Sequence, residues 1–258
     1  MSSLFIQTRG RGDTQLVLLH GWAMHGDVFE PLIEALDDRC TMHVVDLPGH
    51  GRSRDSELLL EPEACARAIA EATPPAVWLG WSMGGLIALT GALRHPDHVR
   101  GLAMLSSTPC FVRKDGWPYG MEPDVFEQFS DDLDQDYKAT LDRFLALEAM
   151  GSEHAREEIR NLRALVFAHG APDKRVLKQG LALLDHSDLR AELASVEQDS
   201  VWISGHRDRL VPGAAMAWAA EQCEGRYIDI PRAGHAAFIG FADQVVEALA
   251  PLLEGASA

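Results

Sequence analysis

The apolar run Ala76-Val77-Trp78-Leu79 stops at Gly80-Trp81-Ser82-Met83-Gly84 and gives way to the helix-like Gly85-Leu86-Ile87-Ala88-Leu89. A chain that turns this sharply from strand to helix tolerates only small residues two positions either side of the serine, and both are glycine. The serine at the tip then projects its Oγ from the carboxyl edge of a sheet. A strand feeding straight into a helix is also the building unit of a parallel, helix-covered sheet. A plain glycine-rich turn could carry the same five residues, so the flanking elements decide the reading.

Those elements repeat. Leu16 to His20 and Thr41 to Asp46 are short, continuous apolar runs, as are Ala76 to Leu79, Leu102 to Leu105, Val201 to Ile203 and Tyr227 to Ile230. Each ends in glycine, proline or a polar cluster, which is how strands buried on both faces read. Helical patterns at Val28 to Leu36, Glu63 to Thr73, Gly84 to Arg94 and Gly213 to Gln222 separate them. The alternation predicts an α/β fold with a mostly parallel, doubly wound sheet, whose ligands bind beyond the carboxyl ends of the strands. The rhythm breaks between Phe111 and Ala194, where helical patterns run from Asp124 to Met150, from Glu153 to Ala168 and from Lys174 to Leu184. The expected organisation is a core of residues 1–110 and 195–258 with a helical cap of residues 111–194 inserted over the site.

Serine is a weak nucleophile at neutral pH and needs a base, which in turn needs an orienting carboxylate. In this architecture the chain order is serine, acid, histidine. Asp208 lies just after the run Val201 to Ile203, and His235 just after Tyr227 to Ile230. Both fall in loops at strand ends, where catalytic groups are carried. The expected triad is therefore Ser82, Asp208 and His235, with His206, Asp185 and Asp188 as decoys. Two backbone N–H groups should face the developing oxyanion: that of Met83, after the nucleophile, and that of Trp22 in His20-Gly21-Trp22.

Composition narrows the partners. The net charge of −16 argues against nucleic acid. Cys40, Cys65, Cys110 and Cys223 are scattered, without metal spacing, and read as reduced thiols of a cytoplasmic protein. Cys110 follows a strand run and could lie near the site, although a small buried apolar role is the plainer reading. No signal peptide, membrane span, metal cluster or cofactor motif is legible, and the glycines of Asp46 to Ser53 lack the pattern of a phosphate loop. On so acidic a chain, Arg156, Arg160 and Arg163 stand out as a stripe along one helix face. From spacing alone, a solvated face with Glu153–Arg156 and Glu157–Arg160 pairs competes with a docking site for an anionic carrier or substrate.

The serine turn, His20-Gly21-Trp22, the segment Asp46 to Ser53 and the order Ser–Asp–His resemble the α/β-hydrolase superfamily. Trp78 to Leu86, Ser106 to Phe111, Arg143 to Leu147, Asp208 to Pro212 and Gly234 to Phe238 resemble, within it, the esterases of biotin synthesis that cleave pimeloyl-[acyl-carrier protein] methyl ester. The likeness runs nearly end to end. It implies a serine esterase, without cofactor, acting on the methyl-pimeloyl chain of acyl carrier protein. It also implies substrate contacts at Trp22, Ser82, Met83, Phe144, Leu145, Ala146, Leu147, Glu148 and His235, and carrier docking at Arg143, Arg156 and Arg160. A fourth basic position of that family falls on Ala139, beside Lys138. A broad short-chain carboxylesterase, a C–C bond hydrolase and a non-catalytic binding protein are the rival readings of the same scaffold.

Overall fold

The computed structural model describes residues 4–153, 155–170 and 172–256; the outermost ends of the expected core lie outside them. Among the described residues seven strands form one sheet: β1 (Phe5–Arg9), β2 (Thr14–Leu19), β3 (Cys40–Asp46), β4 (Ala76–Trp81), β5 (Val99–Leu105), β6 (Ser200–Gly205) and β7 (Arg226–Ile230). Their order is β1-β3-β2-β4-β5-β6-β7. All neighbours pair in parallel except β1, which runs antiparallel to β3 with Phe5 opposite Asp46. Every residue of β4 and β6 is buried, so both faces of the central sheet are covered. That is why these strands read as unbroken apolar runs.

The covering helices are α1 (Glu30–Leu36), α2 (Pro62–Ala72), α3 (Met83–Arg94), α7 (Gly213–Gln222) and α8 (Phe238–Gly255). Helix α1 packs on α8 and α2 on α3. Two elements are additions to the sequence reading. Strand β1 is a half-exposed edge strand with a mixed sequence, Phe-Ile-Gln-Thr-Arg. Helix α8 is irregular at Ile239, Gly240 and Phe241 and carries Pro251, both of which blur a helical pattern.

Between β5 and β6 lie three helices, α4 (Pro123–Glu148), α5 (Ala155–Val166) and α6 (Lys174–His186). The expected continuous helix from Asp124 to Met150 is in fact broken. Asp136 leaves helical geometry (φ −148°, ψ 86°), and its side chain accepts the N–H of Ala139 at 3.1 Å. An aspartate that caps the turn following it ends one helix and starts another. The two halves of α4 fold against each other, and Arg143 meets Asp132 across them at 2.5 Å. Helix α6 reaches down to the carboxyl ends of the strands: a Cβ on its Gly180 would lie 2.5 Å from Trp22 Cδ1 and 3.3 Å from Met83 Sδ.

Candidate active site

The turn after β4 is held by close backbone packing. Ser82 adopts φ 54° and ψ −121°, a conformation that L-residues rarely take and that is characteristic of strained functional turns. Its N–H donates to Leu105 at 3.0 Å, and its carbonyl accepts from Ser107 Oγ at 2.7 Å. The flanking glycines are obligatory. A Cβ on Gly80 would sit 2.3 Å from the Gly84 carbonyl oxygen, and one on Gly84 2.2 Å from that of Leu19. Met83 opens α3, so its N–H has no acceptor within the helix.

The loops after β6 and β7 bring Asp208 and His235 together. Asp208 Oδ2 meets His235 Nδ1 at 2.9 Å, both side chains being almost wholly excluded from solvent. Asp208 Oδ1 accepts the N–H groups of Leu210 (2.8 Å) and Val211 (3.0 Å), which fixes the carboxylate. With Nδ1 donating to the acid, Nε2 carries the lone pair. Among the described residues it has no hydrogen-bond partner. The backbone of His235 is held from two sides: its carbonyl accepts from Trp81 Nε1 at 3.0 Å, and its N–H donates to the Glu148 carbonyl at 3.2 Å.

Ser82 lines a narrow cavity whose other walls are Phe111, Met121, Phe126, Phe129, Phe144, Leu147, Leu181, Leu184 and Leu210. Phe129 and Leu147 also border an outer groove between the two halves of α4, with Arg143, Ala146 and Met150 at its rim. Of the positions expected to touch substrate, Phe144 and Leu147 therefore reach the cavity, while Ala146 faces the groove. Trp22 is fully buried, stacked edge-on to Phe144, with Nε1 donating to the Leu177 carbonyl at 2.8 Å. Leu145 is wholly buried in the core. Glu148 is buried beside Asp208, outside the cavity lining, and neither of its carboxylate oxygens has a hydrogen-bond partner among the described residues. Burial, then the charges of Asp208 and Glu158, hold its carboxyl well above the usual range.

The His20-Gly21-Trp22 loop is tied to the end of β3. His20 Nδ1 donates to the Gly21 carbonyl at 2.8 Å, and Nε2 accepts the N–H of Leu47 at 2.9 Å. Burial, then the neighbouring His50, push its pKa down to about 3, so the ring stays neutral and structural. The decoys sit elsewhere: His206 pairs with Asp229, Asp188 with Arg190 and Asp185 with His186. Cys110 packs in a small cluster with Trp117 and Ala215.

The model of the α/β hydrolase fold matches residues 14–242. Over 255 residues the chain is 52% identical to the pimeloyl-[acyl-carrier protein] methyl ester esterase of Stenotrophomonas maltophilia (strain R551-3), covering 98% of each protein. It is 52% identical over 247 residues to the esterase of the same name from Xanthomonas campestris pv. campestris (strain B100), covering 95% of this chain and 97% of that one. The chain belongs to the pimeloyl-[acyl-carrier protein] methyl ester esterase family of α/β hydrolases. The fold is seen again in an esterase from Exiguobacterium antarcticum, at a TM-score of 0.88 and 24% identity over 98% of this chain and 100% of that one. As a member of this family the chain is a carboxylic ester hydrolase.

The arginines expected to dock a carrier are all exposed, and their surroundings differ. Arg143 is tied to Asp132 at the groove rim, and Arg160 pairs loosely with Glu157 at 3.6 Å. Glu153 pairs with Arg232 at 2.9 Å rather than with Arg156. Arg156 makes no ion pair among the described residues. The structure also assembles a group that spacing along the chain conceals: His25, Asp27 and His169 converge from positions up to 144 apart.

Proposed function

We propose that the chain hydrolyses the methyl ester of a pimeloyl chain carried on acyl carrier protein, in the cytoplasm, with Ser82 as nucleophile, His235 as base and Asp208 as its orienting acid. The observation that carries the chemistry is the buried 2.9 Å Asp208–His235 pair, which leaves Nε2 with a free lone pair. The substrate reading rests on the family's printed activity, and an apolar cavity ending at Ser82 suits a methylene chain. No helix among the described residues is long and apolar enough to cross a membrane.

In this reading Oγ of Ser82 attacks the ester carbonyl carbon as its proton passes to His235 Nε2. The N–H groups of Met83 and Trp22 stabilise the oxyanion, each donor being worth about 3–4 kcal/mol in the transition state. The carbon–methoxy bond breaks, and His235 returns the proton to the leaving methoxide as methanol. A water deprotonated by the same nitrogen then attacks the acyl-enzyme, regenerating Ser82 and freeing the pimeloyl carboxylate. Residues 111–194 act as the cap. Arg143, Arg156 and Arg160 hold the acidic carrier while its arm enters by the groove between the halves of α4.

Methanol release from pimeloyl-[acyl-carrier protein] methyl ester, with the chain and its Ser82→Ala variant, is the test. Turnover that falls about 10³-fold or more on substitution supports the assignment. Turnover of small nitrophenyl esters alone would keep the hydrolase and discard the carrier-bound substrate.

A further inference from the structure

His25 and Asp27 stand in the turn after β2, and His169 in the segment joining α5 to α6. His169 Nε2 lies 2.9 Å from Asp27 Oδ2, and His25 Nδ1 lies 3.6 Å from the same oxygen. One donor atom from each residue falls within 4.8 Å of the other two. Ligands about 2.0–2.2 Å from a shared tetrahedral zinc lie roughly 3.3–3.5 Å apart, so only small side-chain movements separate this arrangement from a coordination shell. We propose that His25, Asp27 and His169 form a binding site for a divalent transition metal of the zinc class, which clamps the inserted helices to the sheet.

The surroundings are those of ligands set in advance. His25 is buried, and its Nε2 lies 2.8 Å from the Leu165 carbonyl. A carbonyl can only accept, so Nε2 carries the hydrogen, and the Nδ1 lone pair accepts the backbone N–H of Asp27 at 3.4 Å, a long bond that a metal ion would replace. Carbonyl-anchored imidazoles of this kind are the usual outer support of metal-binding histidines. The other oxygen of Asp27, Oδ1, accepts from Arg52 at 2.6 Å, and Arg52 is itself neutralised by the buried Asp46 at 2.7 Å. Arg54 donates to the His169 carbonyl at 3.0 Å and steadies that segment. Asp27 and Asp46 face the guanidiniums of Arg52 and Arg54, so the surrounding charges balance before any cation enters. Two imidazoles and one carboxylate favour zinc, cobalt or nickel over calcium or magnesium, and leave a fourth position for water.

The chemistry at Ser82 does not involve this cluster, so the two readings stand or fall apart. The experiment is a cobalt(II) titration of untagged, chelator-treated protein, followed by its visible d–d bands, with zinc displacing the cobalt. Expected is one tetrahedral-type site per chain and a rise in Tm with zinc. His169→Gln, at a partly exposed position, should keep the metal-free Tm and lose about 100-fold or more in affinity together with the zinc-induced rise. No saturable binding below about 100 μM would overturn the site. So would binding that survives both His169→Gln and Asp27→Asn, since that binding would belong to surface histidines such as His206.

Discussion

The carbonyl of Glu148, at the end of the first inserted helix, accepts the N–H of His235 at 3.2 Å, while the Glu148 side chain lies buried beside the Asp208 that orients the same histidine. One residue thus couples the inserted helices to His235 through its backbone and places a carboxyl of raised pKa next to Asp208. Protonating Glu148 relieves the repulsion that a second carboxylate imposes on Asp208.

The first prediction follows from the cost of that burial. Glu148 titrates near 4.5 in the unfolded chain, and folding raises that value. The folded state therefore binds the extra proton, and stability falls as pH rises from 4.5 toward the raised folded value. Glu148→Gln removes the linkage. Its advantage over wild type should be smallest near pH 4.5 and grow as pH rises toward the raised folded value, each 1 kcal/mol gained raising Tm by about 2–4 °C. Melting curves at pH 5, 6.5 and 8 would expose a constant difference if the linkage is absent.

Asp46 behaves in the opposite sense. Burial pushes its pKa upward but is outweighed by the side-chain and backbone donors of Arg52 and by the Gly26 N–H, leaving it at about 2. A depressed acid contributes stability that is fully present above its unfolded pKa of about 3.9 and is lost as pH falls through 2. Asp46→Asn removes a fully buried carboxylate and leaves Arg52 paired with Asp27 alone, at a cost of about 1–3 kcal/mol. In urea unfolding the gap between variant and wild type should be flat from pH 8 to 5 and narrow below pH 4.

Gly180 tests how closely the inserted helices sit on the site. Alanine in a helix is favoured over glycine by up to about 1 kcal/mol. Here its Cβ would press to 2.5 Å from Trp22 Cδ1 and 3.0 Å from Nε1, disturbing the indole bond to Leu177. Overpacking costs about 1–3 kcal/mol, so the clash wins. Gly180→Ala should lower Tm and cut kcat/KM on every ester by about 10–100-fold, because displacing Trp22 shifts its loop. An unchanged kcat/KM with higher Tm would mean that α6 rides freely over the sheet.

These tests turn on features of unequal legibility in the sequence. The parallel strands and the Ser82 turn are readable because burial on both faces and a crowded turn each impose a local pattern. Strand β1 alternates weakly and depends on pairing with β3, which no local pattern reports. The break at Asp136 hides in a helical stretch because an aspartate is equally at home on a solvated face. Glu148 reads as an ordinary surface glutamate at the end of a helix; only the docking of α4 on the loops after β6 and β7 buries it. His25 and His169 meet from 144 positions apart, a distance at which spacing carries no signal.

The last prediction concerns the carrier. At a net charge of −16 the chain as a whole repels an acidic protein, so association must rely on a local patch. Arg156 and Arg160 are exposed on α5, and neither is locked in a tight ion pair among the described residues. Rim charges of this kind act mainly on encounter. Arg156→Glu with Arg160→Glu should lower kcat/KM for the carrier-bound ester by about 10–100-fold at low salt, mostly through KM. The deficit should shrink in high salt, where the screening length drops to about 3 Å at 1 M. Small nitrophenyl esters, which need no patch, should be turned over at the wild-type rate. Ala139→Arg, at an exposed position next to Lys138, restores the missing basic position and should act in the opposite direction. A loss shared equally by small and carrier-bound esters would instead assign the stripe to the stability of the inserted helices.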